Sequence, residues 1–153
     1  MDENIVSFLE RYDVARWLQV MPNYQQKMIA TMYDNLGDYN KVAEEWLLIK
    51  NGSTAPFGAA TPHFLSLDKI LDEIELFLKG DSKYENEITA LLAEKNIVQY
   101  TIVSVLSHAI GDAVGTVSVC ISPVIAICLF TILKMGANAW LKSREEKRKN
   151  KGN

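Results

Sequence analysis

Three residues of the types found in hydrolytic triads, Ser104, His108 and Asp112, are spaced four apart in the last third of the chain. This spacing places side chains on one face of a helix, and a straight helix separates the Ser and Asp positions by about 12 Å. A triad needs both to contact the imidazole, and the neighbouring residues offer no oxyanion hole. The pattern therefore favours a polar pair, His108 with Asp112, at a membrane boundary, and an ordinary surface position explains the two residues equally well.

Other chemistry-bearing patterns are missing from the sequence. The two histidines, His63 and His108, are far apart, and the two cysteines, Cys120 and Cys128, lie inside an apolar run. Neither arrangement has the spacing of a metal site. The glycines of residues 52–58 are not followed by the Lys-Ser/Thr of a phosphate-binding loop. We therefore expect no enzyme, no cofactor and no metal.

The apolar run extends over residues 113–133, 21 residues with no charged side chain. As one helix it would be about 31 Å long, close to the ~30 Å hydrocarbon core of a bilayer. Its many β-branched residues also fit a strand, but a buried strand needs only about 4–8 residues. The alternative is a helix buried at the centre of a soluble bundle. Length favours the membrane, because few soluble helices are uncharged over such a distance.

Small residues recur through this region and predict a helix-packing face. Gly111, Gly115, Ser118 and Ser122 would share one side of a continuous helix, and the Gly-x-x-x-Gly spacing permits close approach of a second helix. Packing within the chain and self-association are equally compatible with this pattern. Pro123 predicts a kink or break, because proline removes one backbone donor.

Charge divides the chain. Residues 1–97 carry 9 Lys or Arg against 16 Asp or Glu, a net charge of −7, whereas residues 142–153 carry 6 against 2, a net charge of +4. The acidic part argues against nucleic acid as a partner, because phosphate binding needs clustered basic residues. The basic residues that follow the apolar run are Lys142, Arg144, Lys147, Arg148, Lys149 and Lys151.

These basic residues also predict membrane orientation. The positive-inside rule places the C-terminus in the cytosol, and the acidic N-terminal sequence does not resemble a signal peptide, so it should be cytosolic too. Both conditions require an even number of passes. They favour a hairpin with its turn near residues 111–115, or a re-entrant segment broken near Ser122 and Pro123, slightly over a single span. The tail could also lie against anionic lipid headgroups.

Helical periodicity predicts the remaining architecture. Apolar stripes indicate helices over residues 3–20, 23–36, 39–50, 66–79 and 82–95, with Gly37 ending the second, Asp38 capping the third and Ser82 with Glu85 forming a capping box. We expect an all-α fold: an acidic helical bundle head (1–95), a hydrophobic helix or helical hairpin (96–141) and a basic tail (142–153).

An uncharged loop over residues 51–64 interrupts the predicted head. It carries Phe57, His63 and Phe64, which either pack back onto the head or form a partner-binding loop.

Two functions follow from these patterns. In the first, the protein is membrane-anchored, its head faces the cytoplasm and binds a partner or signal, and its hydrophobic segment anchors or self-associates in the cell (inner) membrane, with a pore as one form of assembly. Its partners would be the lipid bilayer and a second copy or another protein. In the second, the chain is a soluble helical-bundle interaction protein with the apolar helix buried at its centre, acting as it stands or releasing that helix on a trigger.

Overall fold

The computed structural model describes residues 4–53, 65–94 and 96–151 of the chain, with the side chains of residues 50–53 left aside. The described residues form nine α-helices and one short 3₁₀ turn, with no strand among them. In chain order the helices are α1 (Ile5–Glu10), α2 (Arg16–Gln19), α3 (Asn23–Leu36), α4 (Tyr39–Ser53), α5 (Leu67–Leu78), α6 (Glu85–Ala93), α7 (Gln99–Val114), α8 (Ser118–Met135) and α9 (Ala137–Lys151). The expected all-α class with an apolar C-terminal helix is confirmed.

The first predicted helix is in fact two. α1 ends at Glu10, and α2 starts only at Arg16, after a turn in which the Asp13 carboxylate accepts a hydrogen bond from the Ala15 amide. Two hydrogen bonds to a distant segment hold this turn. The Tyr12 hydroxyl donates to the Ile97 backbone carbonyl at 2.6 Å, and the Gln99 side-chain amide donates to the Asp13 backbone carbonyl at 2.9 Å. Tertiary hydrogen bonds thus override a continuous helical pattern.

Helices α3 and α4 begin and end largely where the sequence predicts. Gly37 ends α3 in the left-handed conformation, with φ of 70°. The Asp38 carboxylate accepts a hydrogen bond from the Asn40 amide at 2.7 Å, as expected of a cap. The predicted loop starts later than expected, because α4 continues through Gly52 to Ser53. One glycine costs a helix only about 1 kcal/mol relative to alanine.

The apolar side chains of α3 are only partly buried. Ile29 is buried, but Met28 and Tyr33 are exposed and Met32 is only half-buried. The physical reason is position: α3 packs against α2 and α4 at the periphery and has no third layer outside it.

The start of α6 also differs from the prediction. The Asp81 carboxylate caps the 3₁₀ turn that precedes α6, by accepting a hydrogen bond from the Lys83 amide at 2.9 Å, and no side chain caps α6 itself. Ser82 begins a 3₁₀ turn (Ser82–Tyr84), and Glu85 is therefore the first residue of α6 instead of a capping partner. The Tyr84 side chain of this turn is buried beside Phe77 of α5.

The hydrophobic segment forms a helical hairpin of α7 and α8. α7 ends at Val114, Gly115 adopts φ of 82°, and α8 begins at Ser118. The amides of Gly115 and Thr116 both donate to the Gly111 carbonyl, at 2.8 and 2.9 Å, and close the turn. α8 is therefore about 27 Å long at 1.5 Å per residue, shorter than the ~31 Å expected of the whole run.

The core forms around α8. This helix packs against α7, α4, α2 and α9, and the buried apolar side chains of both the N-terminal helices and the hairpin belong to one contiguous cluster. An aromatic series links the layers at one side: Tyr33 stacks on Tyr39 at 4.2 Å between ring centroids, and Tyr39 meets Phe130 of α8 edge-on at 5.1 Å.

Candidate functional site: the covered apolar helix and the docked basic helix

Helix α8 is the central feature of the molecule. Among the described residues it is the one helix that is long and apolar enough to cross a membrane. Ten of its 18 side chains are buried, including every residue from 123 to 129. The exposed residues are Val119, near the hairpin turn, and Lys134 and Met135, at the other end. Most of the apolar surface of α8 therefore faces protein, as in a core helix.

The small residues predicted to pack helices lie at the hairpin turn. Gly111 is buried against that turn, and a Cβ added to it would lie 2.8 Å from the Thr116 carbonyl oxygen. Gly115 is the turn residue itself, and Ser118 starts α8. Since α7 stops at Val114, these residues do not share one continuous helix. The close approach at Gly111 is between two parts of the same chain.

Pro123 lies within α8, and the helix continues through it. The break near Ser122 and Pro123 that a re-entrant segment would require is not present. Pro123 falls in the second turn, one residue after Ser122, whose hydroxyl donates to the Ser118 carbonyl at 2.8 Å. At the sixth position of α8, beyond the first four amides that lack helical partners, Pro123 removes one backbone hydrogen bond without ending the helix.

The polar residues at the hairpin do not form the predicted pair. The His108 Nε2 atom lies 3.5 Å from the Ser118 hydroxyl across the turn, and His108 and Asp112 are both exposed. Within the described residues no hydrogen bond or ion pair joins His108 to Asp112. Ser104 lies half-buried one turn earlier. These three residues are not assembled as a catalytic group.

The predicted partner loop cannot be placed. Phe57, His63 and Phe64 lie outside the described residues. Among the residues that the structure describes, no group of three His, Cys, Asp or Glu side chains could hold a metal ion.

The second notable feature is a buried carboxylate that docks the basic helix α9. Glu75 of α5 has only 1% of its surface exposed. Its Oε1 atom accepts hydrogen bonds from Arg144 Nε, at 3.0 Å, and from Arg148, and its Oε2 atom lies 2.9 Å from Lys79 Nζ. Arg144 also donates to Asp72, one turn before Glu75. Two arginines of the basic tail are therefore held by two carboxylates of α5.

The electrostatics of Glu75 are set by these cations. Burial by itself would raise the pKa of the Glu75 carboxyl, but hydrogen bonds from Arg148, Lys79 and Arg144 lower the pKa to about 2. The hydrogen bond to Glu75 likewise raises the pKa of the Arg148 guanidinium. Glu75 is therefore charged at neutral pH, and its charge is compensated by side chains from two helices.

The sequence interpretation missed Glu75, because the carboxylates of this helix look like a solvated face. A signal was present: Glu75 lies four residues after Leu71 and three before Leu78, at the edge of the apolar stripe. Arg144 and Arg148 are themselves four apart and so share a face of α9. Nothing in the sequence, however, links these two helices.

An exposed apolar surface lies on α3 and α4. α3 and α4 form an open groove of about 340 Å³ lined by Lys27, Met28, Thr31, Met32 and Ile49. Further exposed apolar side chains on these helices are Tyr24, Tyr33, Leu36 and Leu48. Large apolar side chains collected at one surface are typical of sites that bind other proteins.

Fold and site together define an all-α helical bundle that covers an apolar hairpin and docks a basic C-terminal helix. Comparison of the chain with protein-family models, with curated proteins and with solved structures finds no match.

Proposed function

We propose that this chain is a non-enzymatic, water-soluble helical-bundle interaction protein in which the apolar helix α8 forms the centre of the core. One observation carries this proposal: the residues from 123 to 129 of α8 are all buried by other parts of the same chain. A helix that contacts lipid directs its apolar side chains outward, whereas these face α2, α4 and α7. The other helices already shield the apolar side chains of α8 from water, so a bilayer is not required for this.

Fractionation without detergent tests the proposal. The parent chain should stay in the aqueous supernatant after ultracentrifugation and elute as a defined species. Ala43→Asp places a carboxylate in the contact between α4 and the core, where Ala43 is fully buried, and should drive the chain into aggregates or membranes. Leu48→Asp is the matched control, because Leu48 lies on the same helix with 51% of its surface exposed. A parent chain extracted only by detergent would contradict the proposal.

The interaction role rests on the exposed apolar surface of α3 and α4. A second copy of the chain is a partner that can be tested directly, by sedimentation over a range of concentrations. If self-association uses this surface, Met28→Lys should abolish it, and Ala30→Lys, an exposed position on the same helix, should not. A monomer at every concentration would exclude self-association at this surface and leave another protein as the partner class.

Membrane anchorage is the second candidate function, favoured by the length and apolar composition of α8. A two-arm hairpin of α7 and α8 would keep both the N-terminal helices and the basic residues after α8 on the cytoplasmic side of an inner membrane. This form requires the hairpin to leave its covering helices. Extraction by detergent alone, together with leakage of dye from vesicles if a pore assembles, would favour this candidate.

A further inference from the structure

We propose that α9 binds the surface of a bilayer that contains anionic lipids, and that the acidic site formed by Asp72 and Glu75 competes with the lipid for Arg144 and Arg148. This inference goes beyond the proposed function, because it concerns reversible binding at a membrane surface by an otherwise water-soluble bundle. It requires no insertion of α8.

The distribution of charge supports a local basic surface. α9 carries six Lys or Arg and two Glu, a net charge of +4, in a chain whose total charge is −3. The rest of the chain is therefore repelled by an anionic surface while α9 is attracted to it, which orients the molecule. Each Lys or Arg close to such a surface strengthens binding roughly fivefold at physiological salt.

The basic residues of α9 fall into two groups. Arg144 and Arg148 form the face that contacts α5, and Arg144 is only 16% exposed. The other group, which makes no ion pair with any described residue and is exposed to solvent, consists of Lys142, Lys147, Lys149 and Lys151. The lysines are therefore available for headgroups before any rearrangement, whereas the arginines must first leave their carboxylates.

The apolar residues near the start of α9 favour a bilayer over nucleic acid as its partner. Trp140 is half-buried there, with the Arg144 guanidinium 5.5 Å from its ring centroid, and Leu141 lies beside it. Tryptophan next to basic residues is typical of the membrane interface, where the ring lies at headgroup depth. A nucleic-acid duplex would leave the Trp140 ring and Leu141 without an apolar partner, whereas both can enter the headgroup region of a bilayer.

Competition follows from the geometry of Asp72. Its carboxylate is more than half exposed and accepts a hydrogen bond from Arg144, so it can lose this partner to a lipid phosphate without becoming a buried, uncompensated charge. Glu75, which is buried, keeps Lys79 when α9 leaves. Removing the charge of Asp72 leaves Arg144 with Glu75 as its one carboxylate partner, and the weaker hold should strengthen lipid binding.

Vesicle sedimentation tests both parts of the proposal. The full chain should sediment with vesicles of phosphatidylcholine that contain about 30% phosphatidylserine, and not with phosphatidylcholine alone. High salt should release it, because surface charges are screened. The double variant Lys147→Gln/Lys151→Gln should bind roughly 30-fold more weakly.

The matched pair Asp72→Asn and Asp68→Asn isolates the competition, because both remove one negative charge from an exposed position of α5 and only Asp72 contacts α9. Asp72→Asn should bind the anionic vesicles roughly three- to tenfold more tightly, whereas Asp68→Asn should change the affinity by less than about twofold. Circular dichroism of each variant checks that the fold is retained.

Several results would overturn the proposal. Equal effects of Asp72→Asn and Asp68→Asn would contradict a competition between the acidic site and the lipid. If the chain does not bind the anionic vesicles, or if a DNA duplex displaces it from them completely, the lipid surface is excluded as the partner of α9. Binding that resists salt and requires detergent for release would assign the membrane contact to the apolar hairpin instead of α9. None of these results depends on whether α3 and α4 bind another protein.

Discussion

Helices α8 and α9 follow each other along the chain, separated by Gly136, and are attached to the bundle by different forces. α8 is held by apolar side chains that are removed from water, each contributing about 1.5–3 kcal/mol when fully buried. α9 is held by ion pairs of its arginines with two carboxylates of α5, and by Trp140 and Leu141, which pack half-buried against the core. Apolar burial is insensitive to salt, whereas ion pairs that are partly exposed are screened by it.

This difference indicates which part detaches first. Elements with few buried apolar contacts and exposed polar contacts open at lower free energy than core elements. In α9 one side chain is buried, that of Ala137 at its first position, whereas α8 has ten buried side chains. We therefore expect α9 to open without unfolding the bundle, and α8 to leave only when the bundle opens.

The largest effect is expected from Leu129→Ala, which tests whether apolar burial holds α8 in the bundle. Leu129 is fully buried, so the substitution should lower the free energy of unfolding by about 2–5 kcal/mol through lost burial and the cavity left behind. Urea titration followed by circular dichroism measures it. Met135→Ala, at a position with 61% of its surface exposed on the same helix, should change stability by less than about 0.5 kcal/mol. Equal losses would mean that α8 is not the core helix.

Glu75→Gln tests whether the ion pairs hold α9 against α5. The substitution leaves an acceptor oxygen but removes the negative charge that Arg144 and Arg148 share. We expect a loss of about 1–3 kcal/mol, less than for Leu129→Ala because the arginines can reach water. The pKa of Glu75 is lowered in the fold from its ordinary 4.5 to about 2. Its stabilisation is therefore fully present above pH 4.5 and is lost as the pH falls towards 2.

The pH dependence supplies the control for that substitution. The difference in unfolding free energy between the parent chain and Glu75→Gln should be constant from pH 5 to 7 and shrink between about pH 4.5 and 2. A difference that does not change over this interval would show that Glu75 acts through packing instead of charge.

A smaller effect is expected from Gly111→Ala at the hairpin turn. The added methyl group would lie 2.8 Å from the Thr116 carbonyl oxygen, which belongs to the backbone and cannot rotate away. Overpacking of this kind costs about 1–3 kcal/mol, and we expect the lower half of that range because the turn is at the surface. A thermal melt measures it. Ala113→Gly, at an exposed position two residues later, should cost no more than about 1 kcal/mol.

The smallest perturbation is chemical labelling of the two cysteines, which changes no residue. Cys128 is buried in the middle of α8 and Cys120 is only half-buried near its start. A water-soluble maleimide should therefore label Cys120 first in the native protein and both cysteines in urea. Mass spectrometry of the digested chain distinguishes them. Equally fast labelling of Cys128 in native buffer would mean that α8 is not covered.

Local sequence determined much of the helical architecture. α3 extends from Asn23 to Leu36 and α4 begins at Tyr39, both as predicted, because the left-handed Gly37 and the capping Asp38 act within one or two turns. The helical pattern failed between α1 and α2, where Tyr12 and Asp13 bond to residues some 85 positions away. No window of local sequence contains such partners.

For the candidate site, the sequence by itself determined that one stretch of the chain is apolar along its length and that a basic segment follows it, because both are matters of composition. Only the tertiary structure decided that the apolar helix is covered by α2, α4 and α7, and that Arg144 and Arg148 bind Asp72 and Glu75. Hydrophobicity specifies that a helix must leave water, but whether lipid or protein replaces the water depends on the surfaces that the rest of the chain presents to it.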